Sequence, residues 1–202
     1  LPTHSHADHI GGFEEVALVN RYISNSSNKP KMIVPKEYQD LLWDKSLAGG
    51  IEFCETEQGQ PLQLEDFFDI LCPKEMELLG RQLWSYQYGP MELILMRTLH
   101  IPDSATRMDE AQWCCGILIN RRVWVSGDTM FDKDYSTQFS EVSEVMFHDC
   151  QMFQGGVHAS YRELMKLPDK VRSKTYLYHY NDNWDNPKTW VGDSDDFTGD
   201  PI

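Results

Sequence analysis

The sequence predicts an α/β fold, because segments with helical periodicity alternate with short apolar runs of strand type. The chain has 202 residues, of which 41% are hydrophobic and 25% are charged. Globular domains commonly contain about 100–200 residues, and this composition is ordinary for them. We therefore predict a single domain over residues 1–202, built from helices packed on a sheet.

The helical segments are identified by apolar residues that recur on one face. In residues 11–23 these are Phe13, Val16, Ala17 and Tyr22, which indicates an amphipathic helix. Further helices are expected at two segments with helix stop signals. They are residues 36–47, ended by Gly49 and Gly50, and residues 159–166, stopped by Pro168.

The strand segments are short and apolar. Residues 114–126 read as a hairpin that turns near Asn120 and Arg121. The signals in residues 61–85 are mixed and allow no placement, and the polar tail at residues 182–202 is expected to be loop-like. The remaining strands are expected at residues 31–34, 91–99, 144–148 and 175–179.

Charge and cysteine content exclude several classes of protein. The formal net charge is −14, so a large nucleic-acid partner is not expected, since such binding depends on Lys and Arg. No run of 18 apolar residues indicates a membrane span, and no signal peptide is recognised at the start. The five cysteines are odd in number and form no CxxC, which favours a reducing cytoplasm over a disulfide framework.

The histidines at the start of the chain form the strongest motif. His4, His6, Asp8 and His9 fall within six residues, just before Gly11-Gly12. An extended backbone places His4 and His6 on one side. Asp8 and His9 are expected where the chain turns into the helix that Gly11-Gly12 opens. Imidazole and carboxylate suit Zn²⁺, Mn²⁺ or Fe, whereas Ca²⁺ prefers oxygen alone. The alternative is a helix-capping loop with Asp8 as the cap.

Three further candidate ligands follow predicted strands. His100 ends the strand at 91–99, Asp128 follows the hairpin in a Ser-Gly-Asp sequence, and His179 ends the strand at 175–179. Taken singly, such a histidine is more often a boundary residue, and Ser-Gly-Asp is more often a turn. Their order downstream of the HxHxDH motif favours a shared site.

The motif and these strand ends together resemble the metallo-β-lactamase-fold hydrolases. The resemblance implies an αββα sandwich with two divalent metal ions, zinc first, with manganese or iron as alternatives. In that fold several strands precede the HxHxDH motif, so this chain is expected to lack its N-terminal strands. Carried over by position, one metal takes His4, His6 and His100, the other takes Asp8, His9 and His179, and Asp128 bridges them.

A second resemblance concerns the segment after the strand at 144–148. Asp149 follows this strand, and His158 opens the next helix. The pattern is similar to the ribonuclease Z-like branch, which includes cyclic nucleotide phosphodiesterases. There the pair acts as a proton donor near the scissile phosphate, and histidine titrates near neutrality as this task requires. The role of His148 stays open.

These resemblances imply a phosphodiesterase in which a metal-bridging hydroxide attacks, Asp8 steers its proton and His158 protonates the leaving oxygen. The net charge of −14 favours a small phosphodiester such as a cyclic nucleotide over a long polyanion. The alternatives are a hydrolase of lactones or other acyl compounds, and a tRNA 3′-end endonuclease of ribonuclease Z type. Members of the branch are commonly dimers, so a homodimer is possible. No substrate-binding residue is predicted.

Overall fold

The computed structural model of this protein describes residues 1–24, 27–57, 59–180 and 182. Helices and strands alternate along the chain, which confirms the α/β class. The chain forms two compact units, residues 1–90 and the residues from Met91 onward. The tail predicted at residues 182–202 lies outside the described residues apart from Asp182.

The first unit contains one long helix, several short helical segments and three strand pairs. Strands β1 and β4 pair in parallel, whereas β2 pairs with β3 and β5 with β6 in antiparallel fashion. Residues 61–85, which the sequence did not place, contain α4 and four short strands in whole or part. The elements are α1 (Ala7–Tyr22), β1 (Lys31–Ile33), α2 (Lys36–Leu42), α3 (Ala48–Ile51), β2 (Thr56–Glu57), β3 (Gln60–Pro61), α4 (Leu64–Phe67), β4 (Asp69–Leu71), β5 (Lys74–Leu78) and β6 (Arg81–Tyr88).

Helix α1 begins earlier than the sequence predicted. Its N-cap is His6, whose carbonyl oxygen accepts from the backbone N–H groups of His9 at 3.0 Å and Ile10 at 3.1 Å. Asp8 stands in the first turn, where a negative charge interacts favourably with the helix dipole. The expectation that Gly11-Gly12 opens the helix was wrong, and Asp8 and His9 are already helical.

The helical run after β1 also continues past its expected end. A π-helical turn, Trp43–Leu47, joins α2 to α3, and α3 includes Gly49 and Gly50. A glycine inside a helix costs only about 1 kcal/mol, whereas burying a large aliphatic side chain contributes roughly 1.5–3 kcal/mol. Ile51, at the end of α3, is fully buried. Its burial outweighs the glycine signal, so the predicted stop at Gly49-Gly50 was wrong.

The second unit contains a mixed sheet in the order β7-β8-β9-β10-β11, with three helices. Strands β7, β8 and β9 are antiparallel neighbours, and β9, β10 and β11 are parallel neighbours. The strands predicted at 91–99, 144–148 and 175–179 are confirmed. The elements are β7 (Met91–Arg97), β8 (Cys115–Ile119), β9 (Val123–Val125), α5 (Lys133–Ser140), β10 (Val145–Asp149), α6 (Tyr161–Leu164), α7 (Asp169–Arg172) and β11 (Thr175–Tyr178).

Local signals explain two details of this unit. Asn120 and Arg121 both have φ near +51°, in a turn closed by the bond from the Arg122 N–H to the Ile119 carbonyl at 2.9 Å, so the predicted hairpin is confirmed. The helix predicted at 159–166 is shorter. It begins after Ser160, whose hydroxyl and the Glu163 carboxylate form a capping box.

The core of the second unit lies between the sheet and α5. Trp124 of β9 is fully buried and stacks on Phe139 of α5, with ring centroids 6.2 Å apart. Met146 of β10 is also fully buried. All five cysteines are free thiols, as the sequence predicts. Within the described residues, no helix has the length and apolar character needed to cross a membrane.

His148 of β10 belongs to this core. Its Nδ1 lies 2.8 Å from the carbonyl oxygen of Asp149, which can only accept, so Nδ1 carries the proton. Its Nε2 lies 3.0 Å from the Ser136 hydroxyl on α5 and can accept from it. The ring also packs edge-on against Trp124, with centroids 5.4 Å apart. His148 is therefore a buried link between the sheet and α5.

Two glycines allow the start of β8 and the loop after β9 to approach closely. A Cβ atom at Gly116 would collide with the carbonyl of Ser126, and one at Gly127 would collide with the carbonyl of Cys115. Gly127 also has φ near +64°, which side-chain-bearing residues rarely adopt. The residue before Asp128 must therefore be glycine.

Replacing Gly127 with alanine should strongly destabilise the protein. The strained backbone and the clash with a main-chain carbonyl should together lower the free energy of unfolding by about 2–4 kcal/mol. Urea denaturation measures this change. Gly49→Ala is the control, because its Cβ would meet open space inside a helix and should be neutral or slightly stabilising. Equal stability of the two variants would contradict the close approach.

The stability of the protein should also depend on the neutral state of His148. Burial lowers the pKa of His148, although the Asp149 carbonyl and carboxylate oppose this effect. The unfolded chain therefore binds a proton below about pH 6.5 that the folded chain does not bind. The stabilisation is complete above that pH and declines as the pH falls through it.

His148→Asn removes this titration and keeps a donor for the Asp149 carbonyl. We expect it to unfold about 1–3 kcal/mol more easily at pH 8, because the bond from Ser136 is lost. Between pH 7 and pH 5 it should lose less stability than the wild type. Urea denaturation at each pH, with a chelator present to remove metal effects, makes the comparison. Identical pH dependence of both proteins would show that His148 does not carry this effect.

Candidate metal centre

In the first unit, the N-terminal motif brings imidazole nitrogens together. His4 and His6 lie on the extended segment before α1, and His4 Nε2 is 2.9 Å from His6 Nδ1. His4 is buried, and its ring centroid lies 4.2 Å from that of His9. The spacing of two residues therefore places both imidazoles on one side, as the sequence predicts.

Thr3 and Asp8 support this group. The Thr3 hydroxyl lies 3.2 Å from His9 Nδ1 and 3.3 Å from His4 Nδ1, so it can hold either ring. Asp8 Oδ2 lies 3.3 Å from His9 Nε2, and 61% of the Asp8 side chain is exposed. The carboxylate is thus both near an imidazole and accessible to solvent.

This donor set fits a zinc-type ion. Two nitrogens bound to one Zn²⁺ at about 2.0–2.1 Å in tetrahedral geometry are roughly 3.3 Å apart. The separation of His4 Nε2 and His6 Nδ1, 2.9 Å, is close to that value. Imidazole with carboxylate is also the ligand chemistry that Zn²⁺, Mn²⁺ and Fe accept.

In the second unit, His100 follows β7 and is fully buried. Its Nδ1 donates to the carbonyl oxygen of Val157 at 2.9 Å. This bond fixes the tautomer and leaves Nε2 as the ligand atom, 3.6 Å from Asp128 Oδ2. His100 therefore has the orientation that a metal ligand needs.

Asp128 is buried in the loop after β9, and its main chain is held firmly. Its carbonyl oxygen accepts from Thr98 Oγ1 at 2.8 Å and from Cys114 Sγ at 3.2 Å. Burial raises the pKa of Cys114, so the thiol keeps the proton that it donates. The Ser126 hydroxyl donates to the Gly127 carbonyl at 2.6 Å. These contacts fix the carboxylate by fixing its backbone.

Asp149 ends β10 and is fully buried. Its Oδ2 accepts from His158 Nδ1 at 2.7 Å and from the backbone N–H of Thr129 at 2.9 Å. Its Oδ1 accepts from His179 Nδ1 at 3.0 Å. Burial alone would raise the pKa of the Asp149 carboxyl, but the bonds from His158 and His179 outweigh burial and hold the pKa below its usual range.

His158 and His179 are therefore oriented alike. Since Nδ1 of each faces Asp149, Nε2 of each lies on the side of its ring away from that carboxylate. Their ring centroids are 4.9 Å apart, and the ring of His100 lies 4.9 Å from that of His158. His179 has φ near +69°, a conformation that is unusual for histidine and that often occurs at functional sites.

The second unit thus brings together the predicted residues His100, Asp128, Asp149, His158 and His179. Potential ligand atoms of Asp128, His158 and His179 lie within 4.8 Å of one another. The sequence predicted His158 only as a proton donor, and this geometry also permits it to bind a metal.

Sequence reasoning missed the groups that hold these residues. Thr98 and Cys114 fix Asp128, and Thr129 donates to Asp149. It also missed the bond between Asp149 and His179. Proximity to a motif was the only available signal, since Thr98 precedes His100 by two residues and Thr129 follows Asp128 directly.

Comparisons with known proteins identify the family. A sequence model of the Anti-Pycsar protein Apyc1 family matches residues 1–197. A relative of that name from Bacillus phage 010DV004 is 36% identical over 207 residues, covering 95% of this chain and 72% of the relative. One from Bacillus phage vB_BsuM-Goe3 is 37% identical over 194 residues, covering 91% and 68%. One from Paenibacillus harenae is 34% identical over 190 residues, covering 92% and 69%.

A solved structure resembles the fold. It is described as a new diphosphatase from the PhnP family, and it superposes with a TM-score of 0.52 at 15% identity. The match covers 94% of this chain and 64% of that protein, so this chain spans less than two thirds of its length. At such identity the likeness concerns the fold alone, and it agrees with the α/β fold expected here.

The family points to a hydrolytic enzyme, as the sequence predicts. The family match extends over almost the whole chain, and relatives above 30% identity are matched over more than two thirds of their length. This chain therefore belongs to the Anti-Pycsar protein Apyc1 family.

Proposed function

We propose that this chain is a dinuclear metal-dependent phosphodiesterase of the ribonuclease Z-like branch that acts on a small phosphodiester such as a cyclic nucleotide. The observation that carries the proposal is the buried Asp149 carboxylate, which holds His158 and His179 at 2.7 Å and 3.0 Å. One of these imidazoles is a candidate proton donor and the other a candidate metal ligand. A metal-dependent phosphodiesterase of the proposed kind uses both.

The proposed metal ligands are those that the motif implies. In this proposal His4, His6 and His100 would hold one ion, Asp8, His9 and His179 would hold the other, and Asp128 would be shared by both. The donor set favours zinc, with manganese or iron as alternatives. When bound, two such ions supply Lewis acidity and an activated water nucleophile.

His158 supplies the proton that the leaving oxygen needs. Asp149 accepts a hydrogen bond from His158 Nδ1, so Nε2 is the atom that would face the substrate. Asp8 is largely exposed and adjacent to His9, where it would bind the second ion and steer the proton of the attacking hydroxide. His158 is thus the proposed general acid.

The substrate is assigned from charge. The chain has 18 basic against 32 acidic side chains, so a long polyanion would be repelled over most of the surface. A small phosphodiester meets this repulsion over a smaller area. The five free thiols favour a reducing cytoplasm as the compartment, and the resemblance to the branch implies a homodimer.

Substitution of His158 by alanine should lower kcat on a phosphodiester by about 10²- to 10⁴-fold, the usual effect of removing a general acid. Metal content should stay unchanged. The assay panel comprises bis-p-nitrophenyl phosphate, cyclic nucleotides, a lactone and a tRNA precursor. Gln154→Ala, an exposed position in the same connection, is the control.

Three results of this panel would count against the proposal. Hydrolysis of the lactone alone would favour the acyl hydrolase, and cleavage of the tRNA precursor alone would favour the endonuclease. Loss of metal together with activity in His158→Ala would make His158 a ligand, as its proximity to Asp128 and His179 permits.

Saturation with zinc or manganese should give two ions per chain by elemental analysis. Asp128→Ala should lower this number and abolish activity, because a bridging carboxylate serves both ions. Asp134→Ala is the matched control, since Asp134 is an exposed carboxylate at the start of α5. A wild-type protein that saturates at one ion would refute the dinuclear assignment.

A further inference from the structure

The connection between β7 and β8 is far longer than their pairing requires. The strands are antiparallel neighbours, with Arg97 opposite Cys115. Such strands can be joined by two to five residues. Here residues 98–114, which we call the β7–β8 loop, intervene without any helix or strand. Loops of this length inside a compact unit are usually functional.

Arg97, the last residue of β7, forms hydrogen bonds with the second half of this loop. Its Nη2 donates to the carbonyl oxygens of Met108 at 3.0 Å, Ala111 at 3.0 Å and Gln112 at 3.1 Å. Its guanidinium carbon also lies 5.1 Å from the ring centroid of Trp113, within the range of a cation–π interaction. One side chain thus contacts four residues of the loop.

Main-chain hydrogen bonds join the two ends of the loop, residues 98–101 and 112–114, which we call its neck. The N–H of Thr98 donates to the Cys114 carbonyl at 3.0 Å, and the N–H of Gln112 donates to the Ile101 carbonyl at 2.9 Å. Arg97 Nη2 also donates to the Gln112 carbonyl, so Gln112 is held both by a main-chain bond and by a side-chain bond. The loop therefore has a closed base and a tip that extends from it.

This neck carries the candidate metal centre of the second unit. His100 lies within it. Thr98 Oγ1 and Cys114 Sγ, from its two sides, both donate to the Asp128 carbonyl. The N–H of Met130 donates to the Leu99 carbonyl at 2.7 Å. A change in the separation of the two sides of the neck would move Asp128 and His100.

We propose that Arg97 is a positioning residue for His100 and Asp128, which acts by holding the β7–β8 loop closed at its neck. The proposal rests on the proposed function, since it takes both residues as metal ligands. Charge is essential to this role, because an ionised donor forms stronger bonds to carbonyls than a neutral one. Burial lowers the pKa of Arg97, but an arginine stays charged in proteins.

Three variants test the hold on the loop. Arg97→Met keeps much of the side-chain length but removes charge and donors, and Arg97→Lys keeps the charge with a shorter reach. Arg122→Met is the control, because Arg122 is an exposed arginine that pairs with Glu144 at 2.9 Å. Each is compared with the wild type as the full chain.

Limited trypsin digestion reports on the loop directly. Arg107 is the only lysine or arginine between Arg97 and Arg121, so cleavage there marks opening of the loop. Arg97→Met should be cut at Arg107 about tenfold faster than the wild type, since several charge-assisted bonds are lost. Arg97→Lys should show a smaller increase, and Arg122→Met none. Mass spectrometry of the fragments measures the rates.

Zinc affinity reports on the metal ligands. Competition with a chromophoric chelator should show about 10- to 100-fold weaker binding in Arg97→Met, the usual effect of losing support for a ligand. Arg97→Lys should recover part of this affinity. His100→Ala serves as the reference for loss of a ligand.

The two measurements distinguish failure of the ligand assignment of His100 from failure of the proposed role of Arg97. Unchanged zinc affinity in His100→Ala would refute the ligand assignment, and with it the positioning role. Weaker zinc binding in His100→Ala, with wild-type cleavage and affinity in both Arg97 variants, would refute the role of Arg97 alone. If Arg97→Met does not fold, wild-type behaviour of Arg97→Lys is the overturning result.

Discussion

The contact on which the second unit's site depends is the pairing of the buried Asp149 carboxylate with two imidazoles. A carboxylate without exposure to water is tolerated only when its oxygens accept hydrogen bonds. Here His158, His179 and the Thr129 backbone supply them. The need to satisfy one buried charge therefore fixes the orientation of two imidazole rings, with Nδ1 of each turned toward Asp149.

The parallel part of the sheet explains how these residues meet. Strands β9, β10 and β11 run in the same direction, so their carboxyl ends lie at one edge. Asp128 follows β9, Asp149 ends β10 and His179 follows β11. Open sheets of this kind place ligand sites beyond the carboxyl ends of their strands. The parallel arrangement of the strands therefore brings together three residues that are distant in sequence.

The sequence was informative where a signal is local. An apolar run that ends at a histidine predicts both the strand and the candidate ligand, as at His179, and a turn of Asn120 and Arg121 predicts the hairpin. Tertiary burial decided the rest. Ile51 extends a helix through two glycines, and the short elements between residues 61 and 85 lack a periodic pattern long enough to recognise. The contacts of Thr98 and Arg97 could not be predicted for a related reason. Their side chains donate to main-chain carbonyl oxygens, and the sequence does not show which carbonyl groups will lie near them.

Two connections in one sheet show the difference between what folding requires and what the site requires. Asn120 and Arg121 join β8 to β9 with a tight turn, in a backbone conformation that matches the twist of the strands. Strands β7 and β8 have the same antiparallel relation, so an equally short turn would serve the sheet. The long loop instead begins with Thr98 and His100, and its neck fixes Asp128. Since the sheet does not require its length, the proposed positioning of His100 and Asp128, rather than the stability of the strands, would account for this loop.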